Sequence, residues 1–295
     1  MGSMGMISET GFGWLTPVLA YLMACVGGAL GLRATLRAVQ APDRRSRRNW
    51  LISAAIAIGT GIWTMHFIAM LGFTVVGTQV RYNVPLTLAS LLVAIGVVGV
   101  GVFIVTRGDG QPPSLLAGGL FTGLGVAGMH YLGMAAVRIN GQIHYAPWEV
   151  GASVVIATIA ATAALWASLS IRNPLATLGA SLVMGVAVSA MHYVGMSAVR
   201  VHVDAGAPPP SGATAMEFVF PLTVGLGSYL FLTAAYVGLS GGERPSPAAA
   251  RAARPTRPTR PTRASAPAAS PAPHQAPPMP AAAAAHRPLA EGPIH

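Results

Sequence analysis

The sequence predicts an all-α integral membrane protein of seven transmembrane helices, built as three helix-pair repeats plus a seventh helix. Three observations carry this. Of 295 residues, 53% are apolar and only 9% charged, with a mean hydropathy of +0.58. Soluble domains carry about 25% charged residues, so this chain cannot dress a globular surface in water. Seven stretches, at 12–32, 50–73, 84–106, 114–137, 150–171, 175–199 and 218–240, contain no Asp, Glu or Arg. Each is long enough to cross a hydrocarbon core about 30 Å thick, which takes about 20 helical residues. Finally, three of the seven carry one motif. The implied organisation is a short outer N-terminus (1–11), a seven-helix membrane domain (12–240) and a Pro/Ala/Arg-rich disordered tail (241–295).

The first stretch lacks the basic n-region and cleavage site of a signal peptide and is too long for an h-region, so it reads as a true helix. It holds the lone cysteine, Cys25. One cysteine excludes an intramolecular disulfide, and in this setting Cys25 reads as a small buried apolar residue rather than a ligand. The second stretch contains GTGIWTMHFIAML (Gly59–Leu71), the fourth GLGVAGMHYLGMA (Gly123–Ala135) and the sixth GVAVSAMHYVGMS (Gly185–Ser197). Each reads Met-His-aromatic, with a second Met four residues after the His and a Gly six residues before the first Met. The third and fifth stretches open near Pro85 and Pro147, where a helix start tolerates the missing N–H. The segments leading into them, TQVRYNVPL (Thr78–Leu86) and GQIHYAPWE (Gly141–Glu149), are also alike. The seventh stretch is followed by RPTRPTRPTR (Arg254–Arg263), a composition that cannot bury a core.

Charge orients the chain. All 18 basic residues are Arg, which excludes a retinal or pyridoxal-phosphate Schiff base. One face collects Arg33, Arg37, Arg44, Arg45, Arg47, Arg48, Arg107, Arg172 and seven tail arginines, against Arg81, Arg138 and Arg200 on the other. The positive-inside rule then places the N-terminus outside and the C-terminus in the cytoplasm of a bacterial inner membrane. The net charge of +10 reflects this asymmetry rather than nucleic-acid binding. The tail arginines suit anionic lipid headgroups, at about 1 kcal/mol each near the surface.

Helices 2, 4 and 6 run in the same direction, so their motifs end at the same face, the outer one in this orientation. His66, His130 and His192 each lie seven residues before the end of an apolar run, about 10 Å deep. His66/Met70, His130/Met134 and His192/Met196 are i, i+4 pairs on one helix face. Imidazole plus thioether is a donor set suited to copper, particularly Cu(I), over Mg²⁺ or Ca²⁺. Met65, Met129 and Met191 point about 100° away and either reach a shared centre or pack. Against ligation, Met stripes usually pack and a lone buried His usually hydrogen-bonds to a neighbour. Three copies at equal depth favour a functional site. Phe67, Tyr131 and Tyr193 read as packing or supporting groups, and His144 and His202 as solvated outer residues able to pass metal inward.

On WTMHFIAM (Trp63–Met70), AGMHYLGM (Ala127–Met134) and SAMHYVGM (Ser189–Met196), residues 12–240 resemble the MHYT family of bacterial membrane sensor domains. The resemblance implies an integral membrane sensor whose Met and His residues hold copper near the outer face and respond to O₂, CO or NO. The first copy departs with Phe67, and Ile68, Leu132 and Val194 stand where the family name has Thr. Family members often carry a GGDEF or EAL output domain after the helices. Here the 55-residue tail is too short for either, so the expected output is through an unknown cytoplasmic partner. Two other readings stay open: copper handling or delivery at the outer face, and haem-b electron transfer, for which His and Met serve as axial ligands. The apolar cytoplasmic halves of helices 2, 4 and 6 argue against a continuous ion path. No catalytic constellation is visible, so no enzymatic activity is expected.

Overall fold

The computed structural model describes residues 3–4, 6–8, 13–204 and 206–240, so the tail, with the arginines expected to meet lipid headgroups, lies outside the described residues. Seven helices are long and apolar enough to cross a membrane: α1 (Leu15–Gln40), α2 (Arg44–Leu71), α3 (Val84–Arg107), α4 (Pro112–Ala135), α5 (Pro147–Ser170), α6 (Pro174–Ser197) and α7 (Phe220–Ser240), the last entered through a π-helical turn at Ala215–Val219. Their starts follow local chemistry. Asp43 accepts from the Ser46 N–H to open α2, and Asn83 and Asn173 do the same for α3 and α6 ahead of Pro85 and Pro174. These side chains satisfy N–H groups that a helix start leaves unpaired. Thr214 and Glu217 form a reciprocal capping box before α7.

The helices exceed the apolar runs on the arginine-rich face. α1 continues through Arg33 and Arg37 to Gln40, and α2 begins at Arg44, leaving only residues 41–43 between them. Arg37 extends over the Trp50 ring, 4.9 Å from its centroid, tying the two extensions together.

Helices α1 to α6 form a closed ring in chain order, with α1 packed against both α2 and α6. The ring has approximate threefold character: α3 sits between α2 and α4, α5 between α4 and α6, and α1 between α6 and α2. The motif glycines make these approaches possible. A Cβ on Gly59 would lie 2.7 Å from the Ile95 Cα on α3, and one on Gly123 would strike the Thr158 backbone on α5. In the third repeat the equivalent Gly185 faces Tyr21 and Cys25 of α1, with Cys25 Sγ 2.5 Å from a built Cβ. The third gap is therefore filled by α1, and α7 packs outside the ring on α1 and α2.

The loops after α2, α4 and α6 carry short strands: β3 (Thr74–Val75), β4 (Arg81–Tyr82), β5 (Val137–Arg138), β6 (Gly141–Tyr145), β7 (Val199–Val203) and β8 (Ala213–Thr214). With β1 (Ser3–Met4) and β2 (Ile7–Ser8) they form three antiparallel sheets, ordered β1-β7-β6, β2-β3 and β5-β4-β8. The described N-terminal residues thus pair with the interhelical loops. Repetition is visible here too: Tyr82 pairs with Val137, and Tyr145 with Val199. Burial, then the nearby Tyr131, pushes the Tyr145 hydroxyl up to about 12, so it serves the cap as a neutral group.

The placement of α1 has a direct test. Cys25 is the only native thiol, and Gly185→Cys introduces a second beside it. Mild oxidation of this variant is expected to consume both thiols and cross-link α1 to α6, read by peptide mass after cleavage. Two persistent free thiols would contradict the closure of the ring by α1.

Candidate metal centre

His66, His130 and His192 lie five residues before the ends of α2, α4 and α6, about 8 Å of helix at 1.5 Å per residue. The ring brings them to one point. Nδ1 of His66 is 3.0 Å from Nδ1 of His192 and 3.2 Å from Nδ1 of His130. The three rings meet edge to face, with centroids 4.9, 5.0 and 5.3 Å apart. All three side chains are buried, at 1, 0 and 2% exposure. Among the described residues they form the one group of three or more His, Cys, Asp or Glu able to share a metal ion.

The aromatic residue after each histidine buttresses it. Phe67, Tyr131 and Tyr193 pack edgewise on His66, His130 and His192 with centroids 4.6, 4.8 and 5.0 Å apart. Two of the repeats anchor their motif helix to the next helix by a side-chain hydrogen bond, buried in the first and half-buried in the second. Trp63 Nε1 donates to Ser90 Oγ on α3 at 2.9 Å, and the Tyr131 and Ser153 hydroxyls pair at 2.7 Å between α4 and α5. Ser90 and Ser153 in turn donate to Thr87 and Val150 carbonyls. The imidazoles therefore sit in walls that leave them few alternative rotamers.

A further position was not singled out from the sequence: the residue three after each histidine, Ala69, Gly133 and Gly195. A Cβ on Gly133 would lie 2.5 Å from His66 Nε2, and one on Gly195 would lie 2.6 Å from His130 Nε2. The outward nitrogens of His66 and His130 thus each rest on the glycine of the following repeat. The signal was present in the alignment of the three motifs, which share a small residue there.

The donor set fits a soft or borderline cation. Two nitrogens about 2.0–2.1 Å from one tetrahedral or trigonal ion lie about 3.3–3.6 Å apart, close to the spacing found. Without a cation, three neutral imidazoles bring three N–H groups, and the single inward nitrogen of His66 cannot both donate and accept. The outward Nε2 atoms of His66 and His130 have no hydrogen-bond partner, so some buried nitrogen is left unmatched at a cost of about 1–3 kcal/mol. Met65, Met70, Met129, Met134, Met191 and Met196 are all buried on the same helices and belong to one apolar core. His144 and His202 stand apart on exposed positions of β6 and β7, their centroids 5.5 Å from each other.

Gly133→Ala should disturb this packing specifically. It is expected to lower the thermal unfolding temperature by an amount corresponding to about 1–3 kcal/mol. Gly128→Ala on the same helix, where a Cβ meets nothing within 4 Å, should be neutral or slightly stabilising. Equal behaviour of the two variants in detergent melts would contradict the cradle.

Comparison with known proteins agrees with the repeat. The family model for the MHYT bacterial signalling protein N-terminal repeat matches residues 59–118, 123–181 and 185–242. The chain is 42% identical over 161 residues to the bifunctional diguanylate cyclase/cyclic di-GMP phosphodiesterase MucR of Pseudomonas aeruginosa, covering 53% of this chain and 23% of that one. It is 38% identical over 197 residues to the cyclic di-GMP phosphodiesterase NbdA of the same organism, covering 64% and 25%. It is 31% identical over 219 residues to the signalling protein YkoW of Bacillus subtilis, covering 70% and 26%. The matched region spans about a quarter of each relative. No solved structure matches the chain. The three matched repeats coincide with the three histidine-bearing helices and the helices that follow them, and the chain belongs to the MHYT family of bacterial signalling proteins.

Proposed function

We propose that this chain is a membrane sensor that holds copper at His66, His130 and His192, with thioether support from Met70, Met134 and Met196, and responds to a diatomic gas or to redox state. The observation that supports it most is the convergence of three buried inward nitrogens from three repeats. Met65, Met129 and Met191 complete a soft surround. Copper would supply a redox-active soft centre whose preferred coordination changes with oxidation state. The protein's part is to hold three neutral imidazoles in fixed orientation, exclude water and link the site to three helices. With the arginine-rich face in the cytoplasm, α2 runs from His66 back to Arg44 at that face over 22 residues, about 33 Å of helix. A shift at His66 would be carried along that length toward a cytoplasmic partner. MucR and NbdA act on cyclic di-GMP, which makes that signalling system the natural one to examine for the partner.

Two features favour this reading over its competitors. Below the histidines, the ring encloses a cavity of about 40 Å³ reached by Met191 and lined elsewhere by apolar side chains and by Thr122 and Ser168. Such a lining admits small uncharged molecules and offers a cation only the thioethers of Met184 and Met191 and two hydroxyls, too few for a stepwise path, which disfavours permeation. Three imidazoles packed edge to face about 5 Å apart leave no slab for a macrocycle between them, which disfavours haem.

Full-length protein reconstituted with Cu(I) under anaerobic conditions should retain copper after desalting. His130→Ala should lower the stoichiometry, and Met134→Leu should weaken Cu(I) more than Cu(II). Absence of copper, unchanged copper in the triple His→Ala variant, or a Soret band in the purified protein would overturn the reading.

A further inference from the structure

On the face opposite the histidines, α2 and α3 diverge around an open groove of about 1060 Å³. Its mouth is ringed by Arg44, Arg45, Arg47, Arg48 and Arg107, against the single acid Asp109. Arg47 is committed to the scaffold, donating to the Thr106 carbonyl at 2.7 Å, and Arg107 lies over the Phe103 ring at 4.4 Å. Arg44, Arg45 and Arg48 are exposed and lie in the first turns of α2, where the helix's own unpaired N–H groups add positive potential.

Below this mouth the groove is apolar. Ile52 and Phe103, about half exposed, form its walls. Gly96 and Gly99 hollow it on the α3 side. At Gly96 a Cβ would meet nothing within 4 Å, so no protein neighbour requires that glycine, although glycine costs about 1 kcal/mol in a helix interior. From Arg107 to Gly96 is about 16 Å of helix, close to the depth of one leaflet in a hydrocarbon core about 30 Å thick. A cationic mouth above an apolar trough one leaflet deep matches one ligand chemistry.

We propose that the α2–α3 groove is a binding site for an anionic diacyl phospholipid, with its phosphate held by Arg44, Arg45 and Arg48 and an acyl chain lying over Gly96 and Gly99. The site is separate from the histidine centre. Its occupant would brace α2 at the end remote from His66.

The test uses the full chain in mixed micelles with phosphatidylglycerol or phosphatidylcholine of identical acyl chains, bound lipid being counted by native mass spectrometry. The wild type should retain phosphatidylglycerol preferentially. Replacing Arg44, Arg45 and Arg48 by Gln should erode the preference by about fivefold per arginine, and replacing all three by Lys should preserve it, which separates charge loss from misfolding. Gly96→Leu with Gly99→Leu should reduce retention of both lipids. Replacing the tail residues Arg251, Arg254, Arg257, Arg260 and Arg263 by Gln should leave the preference intact. Equal retention of the two lipids by the wild type, an unaffected triple Gln variant, displacement by inorganic phosphate alone, or loss of preference in the tail variant would each overturn the proposal.

Discussion

Three imidazoles, two of them within hydrogen-bonding distance of the third and all deep in an apolar helical ring, impose the constraint around which the protein is organised. In that environment a polar nitrogen without a partner is costly, and mutual pairing cannot satisfy all three rings. Held this close, the three are able to share one cation. The surrounding features serve that end: edgewise aromatics fix the planes, Gly133 and Gly195 leave room for the outward nitrogens of His66 and His130, and side-chain hydrogen bonds from Trp63 and Tyr131 fasten α2 and α4 to their neighbours. Hydrophobicity does little to hold helices together in lipid, so close glycine contacts and such hydrogen bonds carry the association.

Threefold repetition delivers this geometry, and it is imperfect in an informative way. A repeat begins within a motif helix and continues through the next helix, so the third repeat should close the ring with α7. Instead α1 occupies that gap, against Gly185, and α7 lies outside. The helix that leads into the tail is thus peripheral to the ring rather than wedged into it. Residues at the histidine end are further covered by the small sheets, which link the N-terminal strands to the loops of all three repeats.

Much of this was legible in the sequence because it is periodic. Apolar runs of membrane length marked seven helices, and His66, His130 and His192 announced a shared depth through their common register and direction. The position of α1 was not legible, since nothing local distinguishes a helix that fills a gap from one that packs outside it. The strands were missed because most are two residues long, below the reach of any alternation pattern. Gly133 and Gly195 were hidden by their ordinariness among 35 glycines; only the fold shows that a nitrogen from the next helix rests on them. The helices end two residues before the apolar runs do, so the histidines lie five residues before the helix ends, the last apolar residues passing into caps and loops.

The central claim is that the inward nitrogens of three repeats act as one ligand set. X-ray absorption at the copper edge on anaerobically reconstituted full-length protein addresses it most directly. The account predicts a shell of three imidazole nitrogens at about 2 Å, with the outer-ring scattering of histidine and a thioether sulfur beyond or beside it. A shell of sulfur or oxygen alone, or one with a single imidazole, would contradict it.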